Sequence, residues 1–331
     1  MQRFLPGLVL LAAAGAAGAA AIHDSDAEFA RPHQLVDIGG RRLNLYCSGN
    51  GPVTVVFDSI ATDAGWNWHA VQPAVAARTR ACVYDRAGVG FSDPSPAPVT
   101  SGSIVADLHA LLARAGIAPP YVMVGSSFGA MNVQLYAYRH PDEVKGMVLV
   151  DAPHEDETER MNKASQGKLK SFDAMIEAFT QGCASAAEQG FDRGSALFTQ
   201  CTGGLGDVYG RELAAARLAS VSTSRHWKAV MAESAGFEAS SAELKAARRS
   251  YGALPMILLV RGVSPYAVPG KPQSALNKAT EAEHLAMQKE IAAFSTRSTL
   301  RIVPGAGHVI HETRPEAVVQ AVLEVVEQVR Q

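Results

Sequence analysis

The segment Gly125-Ser126-Ser127-Phe128-Gly129 joins an apolar, β-branched run, Tyr121-Val122-Met123-Val124, to a stretch from Ala130 to His140 with helical spacing. A serine framed by glycines at such a junction reads as a nucleophile elbow. The chain turns so sharply there that the central residue takes a strained backbone conformation, and flanking side chains larger than hydrogen would strike the strand or the helix. Gly125 and Gly129 make that room, and the turn lifts the Ser127 hydroxyl above the carboxyl edge of the strand. A serine hydroxyl is a weak nucleophile until a base takes its proton. Leu300-Arg301-Ile302-Val303-Pro304-Gly305-Ala306-Gly307-His308 offers that base at the end of a late strand, behind small residues that suit a closely packed loop. His311, three residues on, is the local rival for that role and reads as a partly exposed loop residue that supports the site or faces the lid.

The imidazole needs a carboxylate to fix its tautomer and stabilise the imidazolium, in the chain order serine, acid, histidine. The loop after the strand ending at Val260 contains no carboxylate, and the next acids, Glu281 and Glu283, fall inside a helical pattern. The preceding strand ends Val148-Leu149-Val150-Asp151-Ala152-Pro153, so Asp151 is the expected acid, with Glu155 and Asp156 as alternatives a turn further on. Acyl transfer also needs two backbone N–H groups for the developing oxyanion. Phe128 supplies one at the start of its helix, and Ile60, in the loop Asp58-Ser59-Ile60-Ala61-Thr62, is the expected second.

These residues need a frame that brings them to one edge. Val53 to Phe57, Ala81 to Tyr84, Tyr121 to Val124, Gly146 to Val150, Met256 to Val260 and Leu300 to Val303 are short apolar strands. Strands apolar on both faces belong to a sheet covered by helices on both sides. Helical patterns separate them at Trp68 to Arg78, Ser103 to Ala115, Ala130 to His140, Glu281 to Ala293 and Pro315 to Val329. Such alternation predicts an α/β class with a mostly parallel sheet. Gln34 to Val36 and Arg42 to Cys47 form a hairpin turned at Gly39-Gly40. Residues 153–253 contain no strand pattern and are too many for a connecting loop. They are expected to form an inserted helical lid between two halves of a core, 22–152 and 254–331, with Phe172, Met175, Phe179, Phe198, Trp227 and Met231 giving a partly apolar acyl pocket.

Composition narrows the function. The 331 residues are 47% hydrophobic and 19% charged, an ordinary globular balance. Thirty basic and 32 acidic residues leave a formal charge of -2, which offers no broad field for nucleic acid or an anionic membrane. Arg3, the uncharged residues 4–21 and the small run Ala19-Ala20-Ala21 read as a signal peptide, residues 1–21, with cleavage near its end. The mature chain is therefore expected to be secreted or periplasmic, with no stable membrane insertion after cleavage. In that compartment the four cysteines, Cys47, Cys82, Cys183 and Cys201, suit disulfides, and three pairings exist. Cys183 and Cys201 lie in one polar helical region and could staple it, which leaves Cys47 with Cys82; four buried free thiols are the alternative. The sequence shows no ligand cluster or phosphate loop, so neither a metal nor an organic cofactor is expected.

GSSFG at 125–129, GAGH at 305–308, Tyr84-Asp85-Arg86-Ala87-Gly88-Val89-Gly90-Phe91-Ser92-Asp93 and Val148-Leu149-Val150-Asp151 together resemble the α/β-hydrolase superfamily over nearly all of the mature chain. The resemblance implies an eight-stranded sheet with an inserted lid, and a serine hydrolase working on a small-molecule ester through an acyl-enzyme without a cofactor. It also implies that the antiparallel second strand lies beside the fourth, which would bring Cys47 to Cys82. Two features depart from the usual pattern. Asp58-Ser59 stands where His-Gly usually precedes the oxyanion donor, and the acid missing after Val260 resembles the branch that draws it from the preceding strand. Ser127 argues against the dehalogenases and epoxide hydrolases of the superfamily, which carry aspartate at that place. The same site elsewhere cleaves amides, including N-terminal proline peptides, and carbon–carbon bonds or makes peracids, and some members are binding modules without chemistry.

Overall fold

The computed structural model describes residues 26–203, 209–268 and 270–331, so the expected signal peptide lies outside the described residues. The core is an eight-stranded sheet of β1 (Gln34–Asp37), β2 (Arg42–Ser48), β3 (Thr54–Asp58), β4 (Arg80–Tyr84), β5 (Tyr121–Ser126), β6 (Val144–Val150), β7 (Met256–Arg261) and β8 (Ser298–Val303), in spatial order 1-2-4-3-5-6-7-8. Only the β1–β2 and β2–β4 pairs are antiparallel.

Strand periodicity explains the layering, because successive side chains leave opposite faces. Val56, Met123, Leu149 and Leu258 point to one side, where they meet α2 (Ser101–Arg114) and α3 (Phe128–Arg139). Val55, Phe57, Val122, Val124, Val148 and Leu259 point to the other, against α1 (Gln72–Ala76) and α12 (Pro315–Arg330). The α12 helix buries Val318, Ala321, Val322, Val325 and Val326, the spacing of one helical face, and it lies so close to β6 that a Cβ on Gly146 would stand 2.4 Å from Val325. A reciprocal capping box between Thr100 and Ser103 starts α2. The strand expected at Leu300 to Val303 is not apolar on both faces: β8 is an edge, covered laterally only by β7, and Ile302 is 52% exposed.

Between β6 and β7 lie α4 (Glu157–Ala164), α5 (Lys168–Gln189), α6 (Ala196–Cys201), α7 (Arg211–Val221), α8 (Ser224–Ala235) and α9 (Phe237–Ala247). The remaining α-helices of the described residues are α10 (Ala275–Ala293) and the single turn α11 (Ile310–Thr313). Cys183 and Cys201 are bonded, and they staple this helical region to itself by joining α5 to α6. Their disulfide packs with Trp227 and Val230 in a small core of the lid's own. This is where Trp227 goes, with Phe198 buried against Phe191, while Met175 and Phe179 are exposed. These four therefore do not form an acyl pocket over the sheet; Phe172's side chain is outside the described set. Cys47 and Cys82 face each other directly in the antiparallel β2–β4 ladder and are bonded.

Candidate active site

Ser127 caps β5 and opens α3 with φ 50° and ψ -125°, the one residue of the turn forced out of ordinary backbone space. The glycines explain how the turn closes. A Cβ on Gly125 would stand 2.3 Å from the Gly129 carbonyl oxygen, and one on Gly129 would stand 2.3 Å from the carbonyl oxygen of Asp58 and 2.5 Å from that of Ser59. The loop after β3 is thus pressed against the first turn of α3, with the Asp58 and Ser59 carbonyls against Gly129. Among the described residues, neither the Phe128 nor the Ile60 amide donates to another protein group.

His308 follows β8 in a loop pinned to the end of β7 by hydrogen bonds from Gly262 and Val263 N–H to the Ala306 carbonyl. Its Nε2 lies 3.0 Å from Ser127 Oγ and its Nδ1 2.6 Å from Asp151 Oδ2. The ring is about two-fifths exposed, open to whatever enters above Ser127. Asp151, at the end of β6, is buried with φ 45°, a conformation that aspartate tolerates better than most residues. Its carboxylate accepts four hydrogen bonds: from His308, from the Arg261 N–H at 3.0 Å, from Arg261 Nη1 at 2.9 Å and from His284 Nε2 at 3.0 Å. Burial would raise this carboxyl, but the bonds from His284 and His308 and the Arg261 charge outweigh it and hold the group well below the usual carboxylate range. Asp151 is therefore an anion at any working pH, and an acceptor that keeps the Nδ1 proton on His308. Glu281 takes two hydrogen bonds from the far side of Arg261, so the guanidinium is clamped between two carboxylates.

The alternative acids face elsewhere. Glu155 pairs with Arg248, and Asp156, at the position before α4, pairs with Lys245. His311 is fully buried rather than partly exposed: its ring packs 4.4 Å from Trp68, its Nε2 meets Asn67 Oδ1 at 2.6 Å, and burial pulls its pKa down to about 3. Asp58, the departure from His-Gly, is buried and accepts from Tyr84, Asn132 and Arg86. Arg86 also donates to the Ser59 and Ile60 carbonyls and to Glu233 of α8, while Glu233 accepts from the Thr62 amide. One buried guanidinium therefore ties the Ile60 loop to the lid.

Reading single residues could not find Arg261, His284, Arg86 or Glu233. Arg261 lies on a strand, His284 and Glu233 on helices and Arg86 in the loop after β4, and each partner lies 110 to 147 positions away, as from Arg261 to Asp151 and from Arg86 to Glu233. A cavity of about 560 Å³ opens between the lid helices, lined by Glu157, Asp173, Glu177 and Glu238 together with Leu169, Ile176 and Phe237 and, among the described residues, by no lysine or arginine. It adjoins the serine side: Phe237 lies 5.9 Å from the Phe128 ring, and burial raises the Glu157 carboxyl against the pull of His284, Arg261 and His308.

Residues 55–189 match the family model described as alpha/beta hydrolase fold. The chain has the α/β-hydrolase fold. Among the relatives of this chain, the uncharacterized protein YqjL of Bacillus subtilis is 34% identical over 103 residues, 31% of this chain and 41% of that protein. The matched segments span only 15, 44 and 41% of three curated relatives. Two solved structures share the superfamily's architecture across almost the whole chain. The epoxide hydrolase CorEH has a TM-score of 0.62 at 14% identity, covering 89% of this chain and 97% of that one. An esterase from Thermogutta terrifontis has a TM-score of 0.57 at 19% identity, covering 91% of this chain and 100% of that one. At these identities the likeness is one of fold.

Proposed function

We propose that this α/β hydrolase cleaves a carboxylic ester of a small molecule through an acyl-enzyme on Ser127. The observation that carries the reading is the unbroken hydrogen-bond chain from Ser127 Oγ through His308 to a buried, ionised Asp151. Ser127 Oγ attacks the carbonyl carbon while His308 Nε2 takes its proton. The negative charge that develops on the carbonyl oxygen is met by the Phe128 and Ile60 amides. Collapse breaks the bond to the alkoxide, which leaves with the proton from His308. Water, deprotonated by the same nitrogen, then attacks the acyl carbon and frees the acid and Ser127. Asp151 stays ionised throughout and stabilises the imidazolium. No step needs a cofactor.

The proposal includes export of the mature chain, residues 22–331, and a lid, 153–253, that roofs the core and shapes access. A second reading, hydrolysis of an amide in a peptide with a free N-terminal amine, draws on the four carboxylates around the lid cavity, which would hold an ammonium group. Rates on p-nitrophenyl esters from acetate to palmitate, with proline p-nitroanilide alongside, separate the two. Ester turnover lost in Ser127→Ala supports the first reading, and anilide turnover without ester turnover supports the second. Failure of both, with no labelling of Ser127 by a fluorophosphonate, would point to a binding module on this fold.

A further inference from the structure

We infer that His109, His140 and Glu143 form a binding site for a divalent transition metal of the zinc class, at the opposite end of the sheet from Ser127. The three are unremarkable in sequence, but α2 and the end of α3 bring them together, with one ligand atom from each lying within 4.8 Å of the others. Zinc bonds of about 2.0–2.2 Å to nitrogen and oxygen place tetrahedral ligands about 3.3–3.5 Å apart. His109 Nε2 and Glu143 Oε1 are already 3.1 Å apart. The two imidazoles stack at 4.0 Å and 8°, so metal binding requires one ring to turn out of the stack until its in-plane nitrogen lone pair converges with the other's.

The surroundings are built to hold those donors still. His109 lies inside a helix, His140 ends another, and the Glu143 amide donates to the His140 carbonyl at 3.1 Å. Tyr136 Oη donates to Glu143 Oε2 at 2.6 Å, which turns the other carboxylate oxygen toward His109, the kind of outer support that metal-ligating carboxylates use. All three side chains are partly open to solvent, and a cavity of about 310 Å³ lined by His109 and Glu143 leaves space for a water as fourth ligand. Two imidazoles and one carboxylate favour Zn²⁺, Ni²⁺ or Cu²⁺ over Mg²⁺ and Ca²⁺, which prefer all-oxygen sets. The Tyr121 amide at the start of β5 donates to the Glu143 carbonyl, so the metal would clamp α2, α3 and the base of the serine-bearing strand.

The test is calorimetric titration of the chelator-stripped full-length mature chain with ZnCl2, paired with thermal melts. The expected result is one Zn²⁺ per chain with Kd of about 10 µM or tighter. At a hundredfold excess over Kd, the melting temperature should rise by about 4 °C. Binding should weaken at least about 30-fold in the His109→Ala/His140→Ala double variant and about tenfold in Glu143→Gln, which keeps a hydrogen-bond acceptor for Tyr136. It should persist in His308→Ala, and MgCl2 should give no heat. Because the site sits apart from the triad, this result is independent of the ester reading. Absence of binding, an affinity unchanged in both cluster variants, or binding lost only in His308→Ala would overturn the assignment.

Discussion

Gly129→Ala would put a methyl group where the loop after β3 already lies. The added carbon would stand 2.3 Å from the Asp58 carbonyl oxygen and 2.5 Å from that of Ser59. Ordinary carbon–oxygen contact is about 3.3 Å, so the two segments must separate by about 1 Å. The loop has little freedom to yield, because Asp58 is held by Tyr84, Arg86 and Asn132 and the Ser59 and Ile60 carbonyls by Arg86. The separation therefore falls between the Phe128 and Ile60 amides, the two groups that would bind the oxyanion. Losing one such donor costs about 10²–10³ in kcat, and a misplacement of about 1 Å costs about 10². Overpacking adds about 1–3 kcal/mol of instability, a few degrees in Tm for a chain of this size. The assay is kcat and KM on p-nitrophenyl acetate, measured well below the melting point, with Gly182→Ala as control because a Cβ there meets nothing within 4 Å. The expected outcome is a kcat lowered at least about 100-fold with KM within about threefold. A Gly129→Ala protein with kcat close to the parent's would refute the placement of the oxyanion donors.

The remaining predictions concern charge and the lid. Asp151→Asn should lower kcat by about 10⁴, because the amide presents the wrong partner to Nδ1; a loss below about tenfold would move the acid to another residue. His154, His226 and His311 are buried, with pKa values pulled down to about 4, 4 and 3 mainly by desolvation. Their neutral forms suit the fold, so stability is full above about pH 6.5, the unfolded value, and falls as pH drops toward the folded values, by up to about 1.4 kcal/mol per pH unit for each group. Urea midpoints at pH 7 and pH 5 check this, and equal midpoints would contradict it. Glu233→Ala leaves Arg86 with one carboxylate fewer in a site where both partners are about 2% exposed, and it should cost about 3–5 kcal/mol. A urea midpoint within error of the parent's would mean that the lid does not depend on that ion pair.

What could be read from the sequence followed from interactions that are short-range along the chain. The α/β class came from alternating apolar runs, and the elbow from glycines two residues either side of a serine. The neighbourhood of His308 came from small residues ahead of it. Asp151 was reachable because the loop after Val260 lacks an acid, which left the end of the adjacent strand. The parts that stayed hidden depend on distant partners. Arg261 and His284 hold Asp151 from another strand and from a helix, and nothing in their local spacing marks them. His311 reads as a loop residue from its neighbours, but its exposure is decided by Trp68, which covers it from a turn more than 240 residues earlier. The lid aromatics illustrate the same limit: an apolar helix face does not say whether it covers the substrate or its own disulfide-stapled core. The β8 edge is a further case, because an apolar run does not reveal that only one strand flanks it.

The most direct test of the central claim is intact-mass and peptide mapping of the protein quenched during turnover of p-nitrophenyl acetate. The account predicts a pre-steady-state burst of p-nitrophenol and an acetyl group on the peptide bearing Ser127, both absent in Ser127→Ala. Ester turnover with no burst and no adduct, or an adduct on any other residue, would contradict it.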